Sequence, residues 1–179
     1  MPLRADAQRN YDSVVAAARA AFEAKGTQAS LDDIAEQAGV GNATLYRHFP
    51  TRGSLIVETL RFPLAELSAV ARELGSSDDQ GSALREWCFE VASALTAFTG
   101  LADAVVQSLK DESSPLKIAC QPLQLATLML LMKAQDAGAA RADLQADEVF
   151  SLITALAWAS QTEIDLRRRV EIVFAGLSS

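Results

Sequence analysis

The chain has 179 residues, half of them hydrophobic, and a formal net charge of −7 at pH 7. This apolar content, with a charged fraction of 22%, excludes a disordered chain. No run of about 18 uncharged apolar residues marks a membrane-spanning helix, and the first ten residues lack the apolar segment of a signal peptide. The sequence therefore predicts a globular cytoplasmic protein.

The acidic excess lies outside the N-terminal third of the chain. Up to Phe62, seven basic residues balance seven acidic ones, whereas residues 63–179 carry nine basic and sixteen acidic residues. Phosphate binding depends on the local placement of charge rather than on the total. The net charge of −7 therefore does not exclude nucleic-acid binding by the N-terminal part.

Three helices are predicted first along the chain. Apolar residues at spacings of three and four predict a helix over Ala7–Lys25, which Gly26 ends. Ser30, followed by a leucine and two aspartates, has the pattern of an N-cap and begins a second short helix. A third helix is predicted over Asn42–Phe49.

Helical spacing continues to the end of the chain, and no alternating pattern of strands is convincing. A fourth helix begins at Pro50-Thr51. If it continues to Leu74, Pro63 lies inside it and must kink or restart it, either as a hinge or as a plain boundary between two helices. The later helices are predicted over Pro63–Leu74, Asp79–Phe98, Leu101–Lys110, Leu116–Ala137, Ala146–Ser160 and Thr162–Leu177.

The segment from Ser30 to Phe49 carries the clearest functional signal. Two short helices joined by a glycine-containing turn are typical of a DNA-binding helix-turn-helix. Ala35 is small enough for a close helix crossing, and Gly39 can adopt the left-handed conformation of a tight turn. Leu45 and Phe49 pin the second of these helices, so its opposite side faces outward, with its N-terminal residues available to the edges of bases.

The segment LDDIAEQAGVGNATLYRHFPTRGSL closely resembles the signature of TetR (tetracycline repressor) family regulators, within a resemblance that extends over about Ala7 to Leu60. Two features depart from the family pattern: Gly53 replaces a common acidic residue, and Asp32 and Asp33 leave the second helix without a basic residue. The resemblance implies base or groove-edge contacts at Asn42, Ala43, Tyr46 and Arg47. It implies phosphate contacts at Ser30, Thr44, Tyr46, His48, Thr51 and Arg52.

The same resemblance implies an effector pocket and a dimer interface in residues 63–179. Bulky and adaptable side chains suit an apolar or aromatic effector, although most of them are expected to be ordinary core residues. The candidate pocket residues are Trp87, Phe98, Gln107, Met129, Met132 and Trp158. The last two helices resemble the dimerisation pair of the family, and their candidate interface residues are Leu152, Leu156, Ala159, Val170, Val173 and Phe174.

The sequence as a whole predicts an all-α protein. A three-helix, homeodomain-like head in residues 1–62 would bind DNA, and a helical domain in residues 63–179 would bind the effector and dimerise. The predicted function is a ligand-responsive regulator, acting as a repressor on palindromic operator DNA as a homodimer. Two alternatives stay open: a helical enzyme or carrier with a vestigial head, and a DNA binder without a ligand. The sequence does not encode whether the regulator activates or represses transcription.

No cofactor, metal site or catalytic site is predicted, since no metal-ligand spacing, nucleophile–base pair or glycine-rich phosphate loop is present. The chain contains a single histidine. Cys88 and Cys120 show no ligand spacing and are interpreted as buried small hydrophobic residues, with a redox switch as the alternative.

Overall fold

The structure, a computed structural model, describes residues 2–160 and 162–177, with side chains for residues 6–160 and 162–176. Within these ranges the chain forms ten helices and no strand, which confirms the predicted all-α fold. The helices are α1 (Pro2–Lys25), α2 (Leu31–Gln37), α3 (Asn42–His48), α4 (Arg52–Thr59), α5 (Arg61–Leu74), α6 (Gln80–Leu95), α7 (Leu101–Ser108), α8 (Pro115–Asp136), α9 (Ala146–Ala159) and α10 (Glu163–Leu177).

A break between α4 and α5 lies just before Pro63. The helix that begins at Arg52 ends at Thr59, and Leu60 leaves helical geometry with φ −95° and ψ 0°. A new helix then begins at Arg61, so Pro63 is its third residue. A proline in the first turn costs no hydrogen bond, because the N–H groups there have no intrahelical acceptor. Pro63 therefore follows a boundary between two helices and does not kink the interior of one.

A different proline lies inside a helix. Pro122 is the eighth residue of α8, and the helix continues past it to Asp136. Because proline has no N–H, the carbonyl of Ile118 loses its partner four residues later. The sequence predicted this helix, but the interior position of its proline was not part of the prediction.

The chain clusters into two compact units. Unit 1 consists of Met1–Phe62 and Phe98–Ile118, and unit 2 consists of Pro63–Ala97 and Ala119–Ser179. The division predicted at residue 62 coincides with the end of the first segment of unit 1. Residues 98–118, which the sequence division placed in the C-terminal domain, belong to the N-terminal unit by their contacts.

The core of unit 1 is built around α1, which packs against α2, α3 and α4. At least one residue from each of these four helices is fully buried, among them Phe22, Ile34, Leu45 and Leu55. The ring of Phe22 also meets the ring of Phe98, with centroids 5.8 Å apart. Burial of such side chains supplies most of the stability of a small helical unit.

Two glycines allow the loop after α1 to approach the turn before α7. The N–H of Thr27 donates to the carbonyl of Thr99 at 2.9 Å. Gly26 has φ +77°, and a Cβ there would lie 2.6 Å from the Thr99 carbonyl oxygen. Gly100 has φ +81°, and its Cβ would lie 2.9 Å from Oγ1 of Thr27. Both positions therefore favour glycine for conformation and for space.

Unit 2 is organised by α6, which packs against α9 and α10. Trp87 is fully buried, and its Nε1 donates to Oγ1 of Thr127 at 2.8 Å. The guanidinium of Arg167 lies 3.7 Å from the centre of the Phe89 ring and 3.7 Å from a carboxylate oxygen of Glu86. A cation over an aromatic face, held also by a carboxylate, fixes α10 against α6.

Both cysteines are buried and not joined by a disulfide. Burial raises the pKa of the Cys88 thiol well above its usual range and raises the pKa of Cys120 to about 11. Because the thiolate is the reactive form, these positions disfavour redox chemistry. The burial supports the interpretation of both residues as small hydrophobic core residues.

Candidate nucleic-acid interface

A tight turn connects α2 and α3. Gly39 has φ +70°, and the N–H of Val40 donates to the carbonyl of Ala35 at 3.0 Å. A glycine in the left-handed region that closes a helix in this way is the common C-terminal cap. Ala35 is buried, which fits the small residue expected where the two helices cross. The predicted geometry of the helix-turn-helix is confirmed at these positions.

The helix α3 has a buried side and an exposed side. Leu45 and Phe49 are buried and hold the helix against the rest of unit 1. On the opposite side, Asn42, Ala43, Tyr46 and Arg47 are all exposed. These four positions follow one another at steps of one, three and one, so they share one helical face. The structure thus brings together the four residues predicted to contact base or groove edges.

Asp32 orients one residue of this face. Its Oδ1 accepts a hydrogen bond of 2.8 Å from Nδ2 of Asn42, across the turn from α2 to α3. Asp33, its neighbour, accepts from Nζ of Lys25 at 3.4 Å. The sequence indicated that the two aspartates follow an N-cap and leave α2 without a basic residue. Their partners depend on the crossing of the helices, and no spacing in the sequence reveals them.

Arg47 stands apart from the other cations of the N-terminal segment. Within residues 6–62, its side chain forms neither an ion pair nor a hydrogen bond with the described chain, and it is exposed. The remaining cations there are engaged: Arg9 with Asp6, Arg19 with Glu23, Lys25 with Asp33, Arg61 with Glu58, and Arg52 with two carbonyls. Arg47 is therefore a cation that is free to bind an external anion or acceptor.

Three of the predicted phosphate contacts already have intramolecular roles. Oγ of Ser30 accepts from the N–H of Asp33 and caps α2, and Thr51 forms a reciprocal cap with Ser54 at the start of α4. Arg52 donates from one terminal nitrogen to the carbonyls of Thr27 at 2.9 Å and Ala29 at 2.5 Å. Arg52 therefore holds the loop between α1 and α2, a role that the sequence did not indicate.

Two further predicted phosphate contacts, Thr44 and His48, are half-buried, and the sixth, Tyr46, is exposed. Nε2 of His48 is buried without a hydrogen-bond partner in the described chain, and its ring meets the edge of the Tyr11 ring with centroids 5.8 Å apart. The pKa of Tyr11 is raised to about 12, mainly by partial burial and secondly by a hydrogen bond with Glu58. The neutral phenol is thus the form that packs against His48.

The six predicted effector residues differ in burial and belong to both units. Phe98 is buried and Gln107 is exposed, and both belong to unit 1. In unit 2, Trp87 is fully buried and already hydrogen-bonded, while Met132 and Trp158 are exposed. Met129 is the member that lines a groove, of about 490 Å³, between α5 and α8. The sequence identified large apolar side chains but could not say which of them share a surface.

The six predicted dimer residues have different environments. Val170 is buried within unit 2, so its side chain packs in the core of its own chain. Leu152 is exposed, whereas the remaining four, Leu156, Ala159, Val173 and Phe174, are partly exposed. Three large side chains that the prediction left out are far more exposed on the same two helices: Trp158 at 71%, Ile164 at 84% and Ile172. High exposure of large apolar groups marks them as further candidates for contact with a partner.

A helix-turn-helix with an exposed recognition face, followed by a larger set of helices, defines a class of two-part bacterial transcriptional regulators. The family model for bacterial regulatory proteins of the tetR family matches residues 14–59, and the model for the SbtR-like transcriptional regulator C-terminal domain matches residues 79–179. Together the two models cover most of the chain. The protein belongs to the TetR family of transcriptional regulators.

Solved structures agree with this assignment. The TetR transcriptional regulator SCO0520 from Streptomyces coelicolor is 32% identical, with 93% of this chain and 97% of that chain covered and a TM-score of 0.60. A TetR transcription regulatory protein from Mycobacterium vanbaalenii is 31% identical, with 99% and 100% covered and a TM-score of 0.54. FadR from Bacillus subtilis, at 16% identity, 93% and 99% coverage and a TM-score of 0.65, shares the fold. No curated protein matches the chain.

Proposed function

We propose that this TetR-family regulator is a repressor that binds a palindromic operator as a homodimer and leaves it when a small effector binds the C-terminal domain. The observation that carries the proposal is the outward face of α3. It combines an amide, a phenol and an unpaired guanidinium on a helix that Leu45 and Phe49 hold rigidly. Such a face matches the donors and acceptors of the major groove.

The contacts divide into two groups. Asn42, Ala43, Tyr46 and Arg47 contact bases or groove edges, because they share the exposed face of α3. The proposed phosphate contacts are Tyr46, Ser30, Thr44, His48, Thr51 and Arg52. Three of them, Ser30, Thr51 and Arg52, also have intramolecular roles. Phosphate contacts fix the register on DNA, whereas base contacts supply the specificity.

Dimerisation is proposed to occur through α9 and α10. Both helices leave large apolar side chains exposed, and a soluble chain rarely leaves such groups uncovered. A twofold pair of chains would present two copies of α3 to two half-sites, which accounts for a palindromic operator. The protein acts in the cytoplasm, where its operator lies.

The effector is proposed to be a small, apolar or aromatic molecule. Unit 2 contains an apolar groove of suitable size, lined on one side by Met129. FadR from Bacillus subtilis, which shares the fold, was solved in complex with stearoyl-CoA. That protein therefore holds a ligand with a long apolar part on the same fold. No enzymatic activity is proposed.

The experiment is selection of DNA from a random duplex pool by the full-length protein, followed by footprinting of the selected site. The expected site is a near-palindrome with half-sites one or more helical turns apart, bound by two chains. A reporter promoter carrying that site should be silenced by the protein. A monomer that saturates an asymmetric footprint would contradict the homodimer, and a promoter that becomes more active would contradict repression.

A further inference from the structure

A groove between α5 and α8 is an open apolar feature of unit 2. Its volume of about 490 Å³ lies within the range of sites that bind small organic molecules. One wall comes from the last two turns of α5 and the turn after them, and the other comes from one face of α8. The lining residues are Ser68, Ala71, Arg72, Gly75, Ser76, Pro122, Leu125, Ala126, Met129, Leu130 and Lys133.

The α8 wall is apolar and uncovered. Leu125 and Met129 are each 62% exposed, although both are large hydrophobic side chains that line the groove. By length and composition α8 could even cross a membrane, but core helices pass the same test, and about a third of its apolar window is buried here. Covering this wall with an apolar molecule would remove exposed hydrocarbon from water, which is favourable at about 25 cal/mol per Å².

One end of the groove is positively charged. Arg72 and Lys133 are the charged residues that line it, and no acidic residue does, in a chain whose net charge is −7. Within the described chain, neither cation forms an ion pair with a carboxylate. Arg72 donates from Nε to the carbonyl of Ser68 at 3.3 Å, and Lys133 donates from Nζ to the carbonyl of Gly75. Other N–H groups of both side chains remain available.

The two cations lie at one end of the groove, and the apolar wall extends from them toward the other end. The hydrogen bond from Lys133 to Gly75 joins the C-terminal ends of the two helices, so both cations lie at that end. Pro122 and Leu125 line the groove farther along α8, toward the opposite end. From Pro122 to Lys133 the helix rises about 16 Å, at 1.5 Å per residue. This length suits a molecule with an apolar part and one terminal charge.

We propose that this groove is the effector site and that it takes an amphipathic anion. Its apolar chain or ring lies along Leu125 and Met129, and its carboxylate or phosphate group binds Arg72 and Lys133. The inference rests on the proposed effector response and specifies the chemical class of the effector. Charge-assisted hydrogen bonds from a guanidinium and an ammonium to an anionic head group give the site its selectivity.

The experiment uses full-length protein and four probes that share one chain: dodecanoate, dodecyl phosphate, dodecanol and dodecyltrimethylammonium, all below their micellar concentrations. Calorimetric titration should show at least tenfold tighter binding of an anionic probe than of the alcohol or the cation. Comparison of dodecanoate with dodecyl phosphate tells which head group is preferred. Equal affinity for the anions, the alcohol and the cation would overturn the proposal.

Variants locate the binding. The double variant Arg72→Gln/Lys133→Gln should lose at least tenfold in affinity for the anionic probes and little for dodecanol. Its matched control, Arg85→Gln/Lys110→Gln, removes two exposed cations outside the groove and should bind as the parent does. Met129→Gln should weaken binding of the anions and the alcohol alike. If Met129→Gln instead changes the sedimentation of the protein, this face is a contact between copies and the proposal is wrong.

Release of operator DNA is measured separately, by fluorescence anisotropy with the same probes. One outcome is a probe whose binding depends on Arg72 and Lys133 and yet leaves the operator bound. That result would support the proposed binding site but contradict the proposed effector response. An anionic probe that releases the operator equally from the parent and from the double glutamine variant would retain the response and overturn the proposed site.

Discussion

The N-terminal helices and the last three helices differ in how many large apolar side chains they expose. In residues 6–61 of the described structure, Tyr46 is the one large hydrophobic residue that is exposed, and it lies on the outward face of α3 that we propose binds DNA. The helices α8, α9 and α10 expose nine such residues. The N-terminal helices thus complete their core within one chain and present a polar face. The last helices leave apolar faces that need a ligand or a second chain to cover them.

The difference is what the proposed binding roles of the two regions would require. DNA offers phosphates and base edges, so a binding face needs hydrogen-bonding groups on a rigid support. A dimer interface or an effector groove gains its energy from burial of apolar area. If the comparison is correct, charge introduced on the exposed faces of the last helices should disturb assembly rather than folding.

The largest expected effect comes from the proposed dimer face. The double variant Leu152→Glu/Trp158→Glu should sediment as a monomer, because it places two carboxylates on an apolar face of α9. Its operator affinity should fall about 100-fold or more, since two linked heads bind with the advantage of effective concentration. Sedimentation and fluorescence anisotropy measure the two changes.

Val106→Glu is the matched control for this variant. Val106 has the same 38% exposure as Leu152 but lies on α7 in unit 1. It should leave both assembly and operator affinity close to those of the parent. A Leu152→Glu/Trp158→Glu protein that stays dimeric would place the interface elsewhere.

The next effect tests the polar face of α3. Arg47→Ala should weaken operator binding by about 1–3 kcal/mol, the range for a good side-chain contact to a base. Its unfolding midpoint should not change, because no intramolecular partner is lost. Arg19→Ala, which removes an exposed arginine paired with Glu23, is the control and should bind DNA nearly as well as the parent. An equal loss in both variants would mean that Arg47 contributes only charge.

A smaller effect tests whether residues 98–118 belong to the N-terminal unit. Gly26→Ala places a Cβ 2.6 Å from the Thr99 carbonyl oxygen in addition to the strain of a positive φ. Gly39→Ala has the strain alone, about 1–2 kcal/mol, because its Cβ would meet nothing within 4 Å. Urea denaturation should therefore show a greater loss of unfolding free energy for Gly26→Ala. Equal losses would show that Thr99 does not hold its position against Gly26.

The smallest effect concerns the cap of α6. Oδ1 of Asp79 accepts from the N–H of Ser82 at 2.9 Å, and this hydrogen bond lowers the pKa of Asp79 below its ordinary value of 3.8. Its stabilisation is therefore present above pH 3.8 and is lost as the pH falls through the lowered pKa. Asp79→Ala should melt at a slightly lower temperature than the parent at pH 7, and this difference should shrink at acid pH.

The control for Asp79 is its exposed neighbour Asp78, which is not the cap residue. Asp78→Ala should melt close to the parent at every pH. A difference between Asp79→Ala and the parent that does not depend on pH would mean that the carboxylate charge makes no contribution to the cap.

The sequence by itself determined the helices and the helix-turn-helix, because their signals are local. Helical spacing, the Ser30 cap and Gly39 act within a few residues of each other, and the structure confirms them. The residues of the outward face of α3 were also predictable, since Leu45 and Phe49 define the buried side on the same short helix.

Only the tertiary structure decided which distant residues meet. Arg52 holds the loop at Thr27 and Ala29, more than twenty residues earlier, and residues 98–118 join the N-terminal unit. The burial of each predicted effector residue was decided in the same way. Whether a tryptophan or methionine fills a core or lines a groove depends on helices far away in the chain. Periodicity identifies the apolar face of a helix, but the neighbour that covers this face is chosen by packing of the whole fold.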